Sequence, residues 1–233
     1  MDNHKLSVIV ACYNEEKNIT KTIKRIHKTV PDAEILVVDD GSLDKTAEVA
    51  RKTRIKNLRV IKYTPNRGKG RATRVGIDNA KGDIMAQVDA DSQFPPEELP
   101  NLIKPIIEGK ADIVFASRFI KGATVQKGSL TRIRKIANFV VSAFTSILAE
   151  RRLTDVNAGF KAWTTKAIKD IDIRCDHFAY EPEIAIMAKK RGYKIVEVPV
   201  NYRTRQEGDT TVSLIREGII IPLYLLKVKL FRR

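Results

Sequence analysis

The chain has 233 residues, 43% of them hydrophobic and 30% charged, which suits one large globular domain and excludes an intrinsically disordered protein. Its 43 lysines and arginines outnumber 28 aspartates and glutamates, and the net charge of +15 favours anionic partners such as phosphates, acidic lipids or nucleic acid. Two cysteines and three scattered histidines exclude a disulfide framework and the usual zinc motifs.

Apolar, strand-like runs alternate with helical patterns through the first half of the chain. The sequence predicts strands at 5–13, 33–41, 58–64, 83–91 and 111–119. It predicts helices between them at 19–30, 43–53, 68–82 and 96–109. This order predicts an α/β fold with a mainly parallel, doubly wound sheet flanked by helices. Ligands of such sheets bind at the carboxyl ends of the strands, where this sequence places the polar stretches CYNE, DDGS, DADSQ and SR.

The alternation lapses after about residue 120. Long helices are predicted at 131–150 and from residue 181, then a strand at 194–205, and the basic, amphipathic segment 211–233 follows, with Pro222 expected to kink it. One stripe of 131–150 is apolar, and it either packs on the sheet or faces a membrane; its residues are Ile133, Ile136, Val140, Phe144, Ile147 and Leu148. No apolar run is long enough to span a bilayer, and the polar start MDNHKL predicts no signal peptide.

Two aspartates follow the apolar run in the stretch AQVDADSQFPPEEL. Strand alternation puts Asp89 and Asp91 on one face, with Gln93 next if the strand continues. Two carboxylates this close repel each other unless a cation lies between them. Mg²⁺ and Mn²⁺ prefer carboxylate oxygens and complete their coordination with substrate phosphates. The pair therefore suits a metal-bound diphosphate, although D-x-D alone is equally consistent with solvated loop carboxylates.

Two common nucleotide-binding motifs are absent. The first strand ends in ACYNEEKN, without the G-x-G-x-x-G of a nicotinamide-binding protein, and GKGRAT lacks the spacing of a Walker A loop. Other motifs occur instead, in the order VIVACYNEEKNI, VVDDGSLDKT, NRGKGRATRVG, DADSQFPPE, SRF, DVNAGFKAW and VEVPVNYRTRQEG.

With these motifs the chain resembles the family 2 glycosyltransferases of the GT-A fold, especially the dolichol-phosphate mannose synthase group. The resemblance extends to about residue 210. It departs in two places. Ala11 replaces the usual proline of the first motif, and Thr210 and Thr211 replace the serine and lysine of the R-x-x-G-x-S-K motif found in relatives. A phosphate contact by that lysine is therefore absent here. The resemblance implies a donor-binding half at 1–118, an acceptor-binding half at 119–210 and a terminal segment at 211–233.

The resemblance also implies roles for individual positions. Asp89 would meet the ribose or the metal, and Asp91 and Gln93 would hold Mg²⁺ or Mn²⁺ on the donor diphosphate. The other positions that it assigns to substrate binding in the donor half are Tyr13, Glu15, Asp39, Asp40, Lys69 and Ala90. Arg118 and Arg205 would face phosphates, for which a planar guanidinium is suited. Turnover would depend on these two arginines and on Asp89 and Asp91. Arg132 matches another such arginine, although a surface charge explains it equally well.

The acceptor is either a sugar hydroxyl or a lipid phosphate. A hydroxyl needs a general base, for which the candidates are Asp155, Glu181 and Glu183; Asp155 is also a candidate substrate-binding residue. A lipid monophosphate needs no base, because its second pKa of about 6 leaves it mostly dianionic at neutral pH. It needs cations instead, such as Arg118, Arg132, Arg134 and Arg205. The sequence contains no Q-x-x-R-W motif of the processive sugar-transferring synthases.

We therefore expect an inverting transfer of a hexose from GDP-mannose, UDP-glucose or UDP-N-acetylglucosamine to dolichyl (polyprenyl) phosphate. The enzyme would lie peripherally on the cytoplasmic face of the membrane, through the 131–150 stripe and the basic tail. A nucleic-acid-binding protein would also explain the charge, but the basic residues are dispersed and the aromatic residues are not interleaved with them. We expect no nucleic-acid partner.

Overall fold

Strands and helices alternate along a computed structural model that describes residues 4–205 and 214–232. The strands are β1 Leu6–Cys12, β2 Glu34–Asp39, β3 Leu58–Lys62, β4 Ile84–Gln87, β5 Ile113–Ser117, β6 Thr124–Val125, β7 Lys161–Thr164, β8 Ile195–Pro199 and β9 Asn201–Tyr202. The α-helices are α1 Ile19–Thr29, α2 Thr46–Lys52, α3 Lys69–Asn79, α4 Leu99–Ile107, α5 Arg132–Leu148, α6 Thr165–Ile171, α7 Tyr180–Arg191 and α8 Leu214–Phe231.

Seven strands form one sheet in the order β3-β2-β1-β4-β7-β5-β8. All neighbours pair in parallel except β7, which runs antiparallel to both β4 and β5. The predicted α/β fold with a mainly parallel sheet is confirmed. Strand β7 was not predicted, because its four residues, KAWT, are too few to show a period of two. Since β7 runs in the opposite direction, its amino end lies at the edge where β4 and β5 end.

Two apolar layers cover the faces of the sheet. Alternate residues of β1 enter opposite layers: Val8 and Val10 pack on one side, and Ile9 and Ala11 pack on the other. Strand β7 comes from the second half of the chain and lies between two strands of the first half, so both halves share a single sheet. The assignment of donor binding to 1–118 and acceptor binding to 119–210 stays a prediction.

Helix α5 directs apolar side chains away from the protein. Its large outward residues are between 55% and 72% exposed, namely Ile133, Ile136, Phe139, Val140 and Ile147. Its buried face includes Asn138, Ser142 and Thr145, and Ser142 Oγ accepts a hydrogen bond from the Val156 N–H. The predicted stripe therefore does not pack on the sheet, apart from the partly buried Phe144 and Leu148.

Helix α8 packs beside α5 and α7 and continues past Pro222. Ile221, Leu225 and Val228 are buried in the core, whereas Leu223 and other apolar residues toward the end of the helix are exposed. Beyond its last turn, Arg232 contacts the Glu183 carboxylate and donates to the carbonyls of Ile171 and Asp172.

Among the helices within residues 4–205 and 214–232, none has the length and apolarity to cross a bilayer. The departure from the family motif at Thr210 and Thr211 lies outside the described residues, and the kink at Pro222 stays a prediction.

Candidate active site

The structure brings most of the predicted site residues to one edge of the sheet, beyond the ends of β1, β2, β4 and β5. Arg205, which follows β9, contacts the Glu15 carboxylate beyond β1, and its Nη1 lies 3.6 Å from Asp91 Oδ2 beyond β4. Lys69, at the start of α3, places its Nζ 2.8 Å from Asp89 Oδ1. Residues distant in sequence thus surround the two aspartates.

The two aspartates lie in a turn and not on a strand. Strand β4 ends at Gln87, and the chain turns through Ser92, whose φ is +60°. The expected shared strand face for Asp89 and Asp91 is therefore wrong, because the ladder stops before either residue. The turn is held by the Gln93 N–H, which donates to Asp91 Oδ1 at 3.1 Å, while Gln93 Nε2 donates to the Arg203 carbonyl at 3.2 Å.

Gly159 lies directly against the Asp89 carboxylate. A Cβ at this position would lie 1.9 Å from Asp89 Oδ2, so no other residue leaves the carboxylate where it is. Gly159 comes just before β7, whose reversed direction delivers it to this edge. This glycine belongs to the motif DVNAGFKAW, to which the sequence assigned no role at this position. Its sequence signal is a glycine between apolar residues, which is typical of a close backbone approach.

Burial and mutual repulsion raise the pKa values of three neighbouring carboxyl groups. Burial, with smaller contributions from Asp91 and Glu181, raises the pKa of Asp89 to about 6 although Lys69 opposes it. The pKa of Asp91 is raised chiefly by burial and also by Glu15, against the effect of Arg205. The pKa of Glu15 is raised chiefly by burial. The site thus has an excess of negative charge that a bound cation would relieve.

These residues fit a divalent ion that shares its coordination with the donor. Within the described part of the chain, no three His, Cys, Asp or Glu side chains converge as a complete metal site. Mg²⁺ is commonly held by one or two carboxylates, with substrate phosphates and water completing its shell. The turn provides that number of carboxylates in Asp89 and Asp91.

The two aspartates at the end of β2 differ in what they bind. Asp39 is buried, its Oδ1 accepts from the Ser42 N–H at 2.8 Å, and its Oδ2 makes no hydrogen bond to any described residue. Asp40 accepts from the side chain of Asn66 and from the N–H groups of Arg67 and Gly68. Asp39 Oδ2 lies 3.6 Å from Lys62 Nζ, in an ion pair without a hydrogen bond, whereas Asp40 holds the loop before α3. Both nucleotide contacts stay predictions, as do those of the partly buried Tyr13 and the buried Ala90.

The three arginines expected to face phosphates occupy different environments. Arg118 forms a two-pronged ion pair with the buried Asp155, with Nε–Oδ2 and Nη2–Oδ1 distances of 2.6 and 2.7 Å, and its guanidinium lies 4.8 Å from the Tyr202 ring centroid. Arg205 lies beside the turn that carries Asp89 and Asp91. Arg132 is exposed at the start of α5 and forms no ion pair within residues 4–205 and 214–232. The structure therefore joins Arg205 to the turn but does not join Arg132 to it.

The carboxylates proposed as bases for a hydroxyl acceptor are all engaged. Asp155 is paired with Arg118, and Glu183 accepts from Arg232 and from the backbone N–H groups of Arg174 and Cys175. Glu181 lies between two lysines, Lys161 and Lys69. Burial opposes its ionisation, but the two ammonium groups outweigh burial and lower the pKa of Glu181 to about 2. A carboxylate so stabilised is a poor proton acceptor near neutral pH.

Comparison with known proteins identifies the family. Residues 7–170 match the model of Glycosyl transferase family 2. The chain belongs to this glycosyltransferase family. The resemblance inferred from the motifs and the prediction of a glycosyltransferase are confirmed.

Several relatives of this family 2 glycosyltransferase have names that state an activity. It is 32% identical to the dolichol-phosphate mannosyltransferase of Pyrococcus furiosus, over 90% of this chain and 59% of that protein. It is 30% identical to the dolichyl-phosphate hexose transferase of Haloferax volcanii, over 98% of this chain and 95% of that protein. The polyprenol monophosphomannose synthase of Mycolicibacterium smegmatis is 28% identical, over 88% and 80% respectively.

A solved structure confirms the GT-A fold. The crystal structure of glucosyl-3-phosphoglycerate synthase from Mycobacterium tuberculosis in complex with Mn²⁺ and UDP-glucose superposes with a TM-score of 0.75. The matched region covers 96% of this chain and 79% of the synthase chain, at 21% sequence identity. At this identity the likeness establishes the fold alone.

We predict that Gly159→Ala weakens donor binding without unfolding the protein. The added Cβ displaces the Asp89 carboxylate, and affinity for Mn²⁺ with a nucleoside diphosphate should fall at least about tenfold, since a 1 Å displacement in a site can cost far more. Titration calorimetry measures the affinity, and thermal unfolding of the variant establishes that it is folded at the assay temperature. Unchanged binding by Gly159→Ala would show that Asp89 does not need its present position.

A second prediction separates the structural role of Arg118 from any role toward phosphate. Arg118→Met leaves Asp155 buried without its partner and should lower the free energy of unfolding by about 3–5 kcal/mol, whereas Arg118→Met with Asp155→Leu should restore most of it. Denaturant unfolding measures both. If Arg118 also contacts substrate, the double variant stays inactive while folded. Full activity in the double variant would leave Arg118 with a structural role only.

Proposed function

We propose that this glycosyltransferase moves a hexose from a nucleotide-diphospho-sugar to polyprenyl (dolichyl) phosphate, with inversion at the sugar carbon. The observation that carries the proposal is that all three candidate bases are held in ion pairs: Asp155, Glu181 and Glu183. A phosphate dianion attacks without a base. The names of the mannosyl- and hexosyltransferase relatives support this acceptor class.

The turn that carries Asp89, Asp91 and Gln93, here called the metal-binding turn, would hold Mg²⁺ or Mn²⁺ on the donor diphosphate. When bound, the ion would neutralise charge that develops on the departing nucleoside diphosphate. Asp89 and Asp91 would supply carboxylate oxygens, and Gln93 would add its side-chain oxygen while its amide nitrogen stays on the Arg203 carbonyl. Asp39 Oδ2, which makes no hydrogen bond to a described residue and lies 3.6 Å from Lys62 Nζ, would accept from a donor N–H or hydroxyl group. Inversion follows from direct attack on the face opposite the leaving diphosphate.

The outward face of α5 supports contact with a membrane surface, where the acceptor lipid resides. We define this face by five residues that are all exposed on one side of the helix, namely Ile133, Ile136, Phe139, Val140 and Ile147. Exposed Arg132 and Lys135 accompany it, and each basic residue near an anionic surface contributes about 1 kcal/mol. An apolar face flanked by basic residues suits shallow burial in the headgroup region. We propose peripheral association with the cytoplasmic face of the membrane.

A donor and acceptor screen tests the reaction. The full chain with Mn²⁺ should release nucleoside diphosphate from one of GDP-mannose, UDP-glucose or UDP-N-acetylglucosamine when dolichyl phosphate is present. Dolichol, which lacks the phosphate, is the matched control and should give no release above background. Chromatographic measurement of the nucleotide, with isolation of the glycolipid, decides the result. Release with dolichol or a free glycan, and not with dolichyl phosphate, would overturn the proposed acceptor.

Substitutions on the α5 face test the membrane contact. Phe139→Asp and Ile136→Asp put charge into a surface that would meet lipid, so each should weaken sedimentation with anionic vesicles at least about tenfold. Both variants should keep their turnover on a short, water-soluble polyprenyl phosphate, because neither residue lies at the site. Ile107→Asp, at a half-exposed isoleucine of α4, is the control and should bind vesicles normally. Wild-type vesicle binding by both α5 variants would contradict the proposal.

A further inference from the structure

The ammonium group of Lys69 lies between two carboxylates. Its Nζ lies 2.8 Å from Asp89 Oδ1 and 3.2 Å from Glu181 Oε1. The backbone on either side of it packs closely on the 175–177 segment, since a Cβ at Gly68 or Gly70 would lie only 2.2–2.4 Å from a carbonyl oxygen there. The lysine therefore extends from a closely packed base toward the metal-binding turn.

Glu181 is itself held in place, so that it cannot follow Lys69. Its Oε2 lies 3.2 Å from the Nζ of Lys161, and its Oε1 lies 3.0 Å from the Tyr180 hydroxyl. Lys161 is fully buried, also donates to the Ala158 carbonyl, and lies 5.1 Å from the ring centroid of Phe115. The pair Lys161–Glu181 is thus a buried, fixed support for Lys69.

The charges around the turn nearly balance without a metal. Ionised, the connected groups comprise four carboxylates and three cations, namely Glu15, Asp89, Asp91, Glu181, Lys69, Lys161 and Arg205. The sum is −1, and a bare divalent ion would turn it into +1 with an ammonium group at its side. The negative charge of a nucleoside diphosphate more than offsets this positive excess, and its oxygens can bind both the ion and the ammonium.

We infer that Lys69 is a built-in counter-cation that makes metal binding depend on the donor diphosphate. The inference rests on the proposed metal-dependent function and extends it. In the donor-free site, Lys69 neutralises Asp89 and competes with a bare metal ion. When the metal arrives with a diphosphate, Lys69 turns to the phosphate oxygens and the competition ends. Metal and donor then raise each other's affinity, as linkage requires. Lys161 and Glu181 are positioning residues that hold the lysine at this branch point.

The test is whether Lys69→Met changes two binding affinities in opposite directions. Titration calorimetry of the full chain with Mn²⁺ alone, and with Mn²⁺ plus saturating GDP or UDP, should show opposite effects of Lys69→Met. Affinity for Mn²⁺ alone should rise about tenfold, because the competing cation is gone, whereas affinity for the nucleoside diphosphate with Mn²⁺ should fall about tenfold, because a phosphate contact is gone. Damage to the fold would lower both affinities together.

Two further variants provide controls. Lys104→Met removes one positive charge from an exposed site on α4 and should change neither affinity. Glu181→Gln releases Lys69 from one of its two carboxylates, so the lysine should bind Asp89 more fully and weaken Mn²⁺ binding, opposite to Lys69→Met. Thermal unfolding of each variant establishes that it is folded at the assay temperature.

The outcomes separate the inference from the proposed function. Mn²⁺ binding that Lys69→Met leaves unchanged, or lowers with and without nucleoside diphosphate, overturns the counter-cation alone. A wild-type chain that binds no Mn²⁺ under either condition removes the metal-dependent function and the inference together. Opposite effects of Lys69→Met on the affinity for Mn²⁺ alone and on the affinity for the nucleoside diphosphate with Mn²⁺ support both the inference and the proposed function.

Discussion

Negative charge gathered at one edge of a sheet is the constraint around which this glycosyltransferase is built. Carboxylates leave water here, and an unpaired buried charge is costly. Several are matched by cations: Asp155 by Arg118, Glu181 by two lysines, and Glu15 by Arg205. Asp89 and Asp91 also lie beside cations, Lys69 and Arg205, yet burial still raises the pKa of both carboxyl groups. The raised pKa values thus mark the turn where the protein's own cations do not fully compensate for burial.

The reversed strand β7 makes this arrangement possible. A wholly parallel sheet would bring only carboxyl ends of strands to the edge, each followed by a loop that leads into a helix. By entering the sheet from the site side, β7 adds the segment before it, including Asp155 and Gly159, and carries Lys161 into the interior beneath the turn. The two halves of the chain are consequently joined by one sheet.

The sequence predicted the fold class and the location of the site, but not the pairings within it. Strand ends and family motifs carry local information, and they placed Asp89 and Asp91 correctly at the end of β4. The partner of Arg118 lies 37 residues away and depends on β7, which is too short to show a pattern. The direction of the α5 stripe was equally inaccessible, since amphipathic spacing is the same whether its apolar side faces a core or a membrane.

The attachment of α5 has a geometric consequence for the proposed reaction. Ser142 and Ser146 hold its inner side to residues 153–156, the same segment that carries Asp155 and its ion pair with Arg118. The outward face and the Asp155–Arg118 ion pair are therefore linked through one short segment, which would set the height of the proposed reaction centre above whatever plane the helix rests on. A lipid phosphate would always be met at that level, whatever the length of its hydrocarbon tail. Tail length would then govern how long the acceptor stays in the bilayer and not how it is aligned for attack.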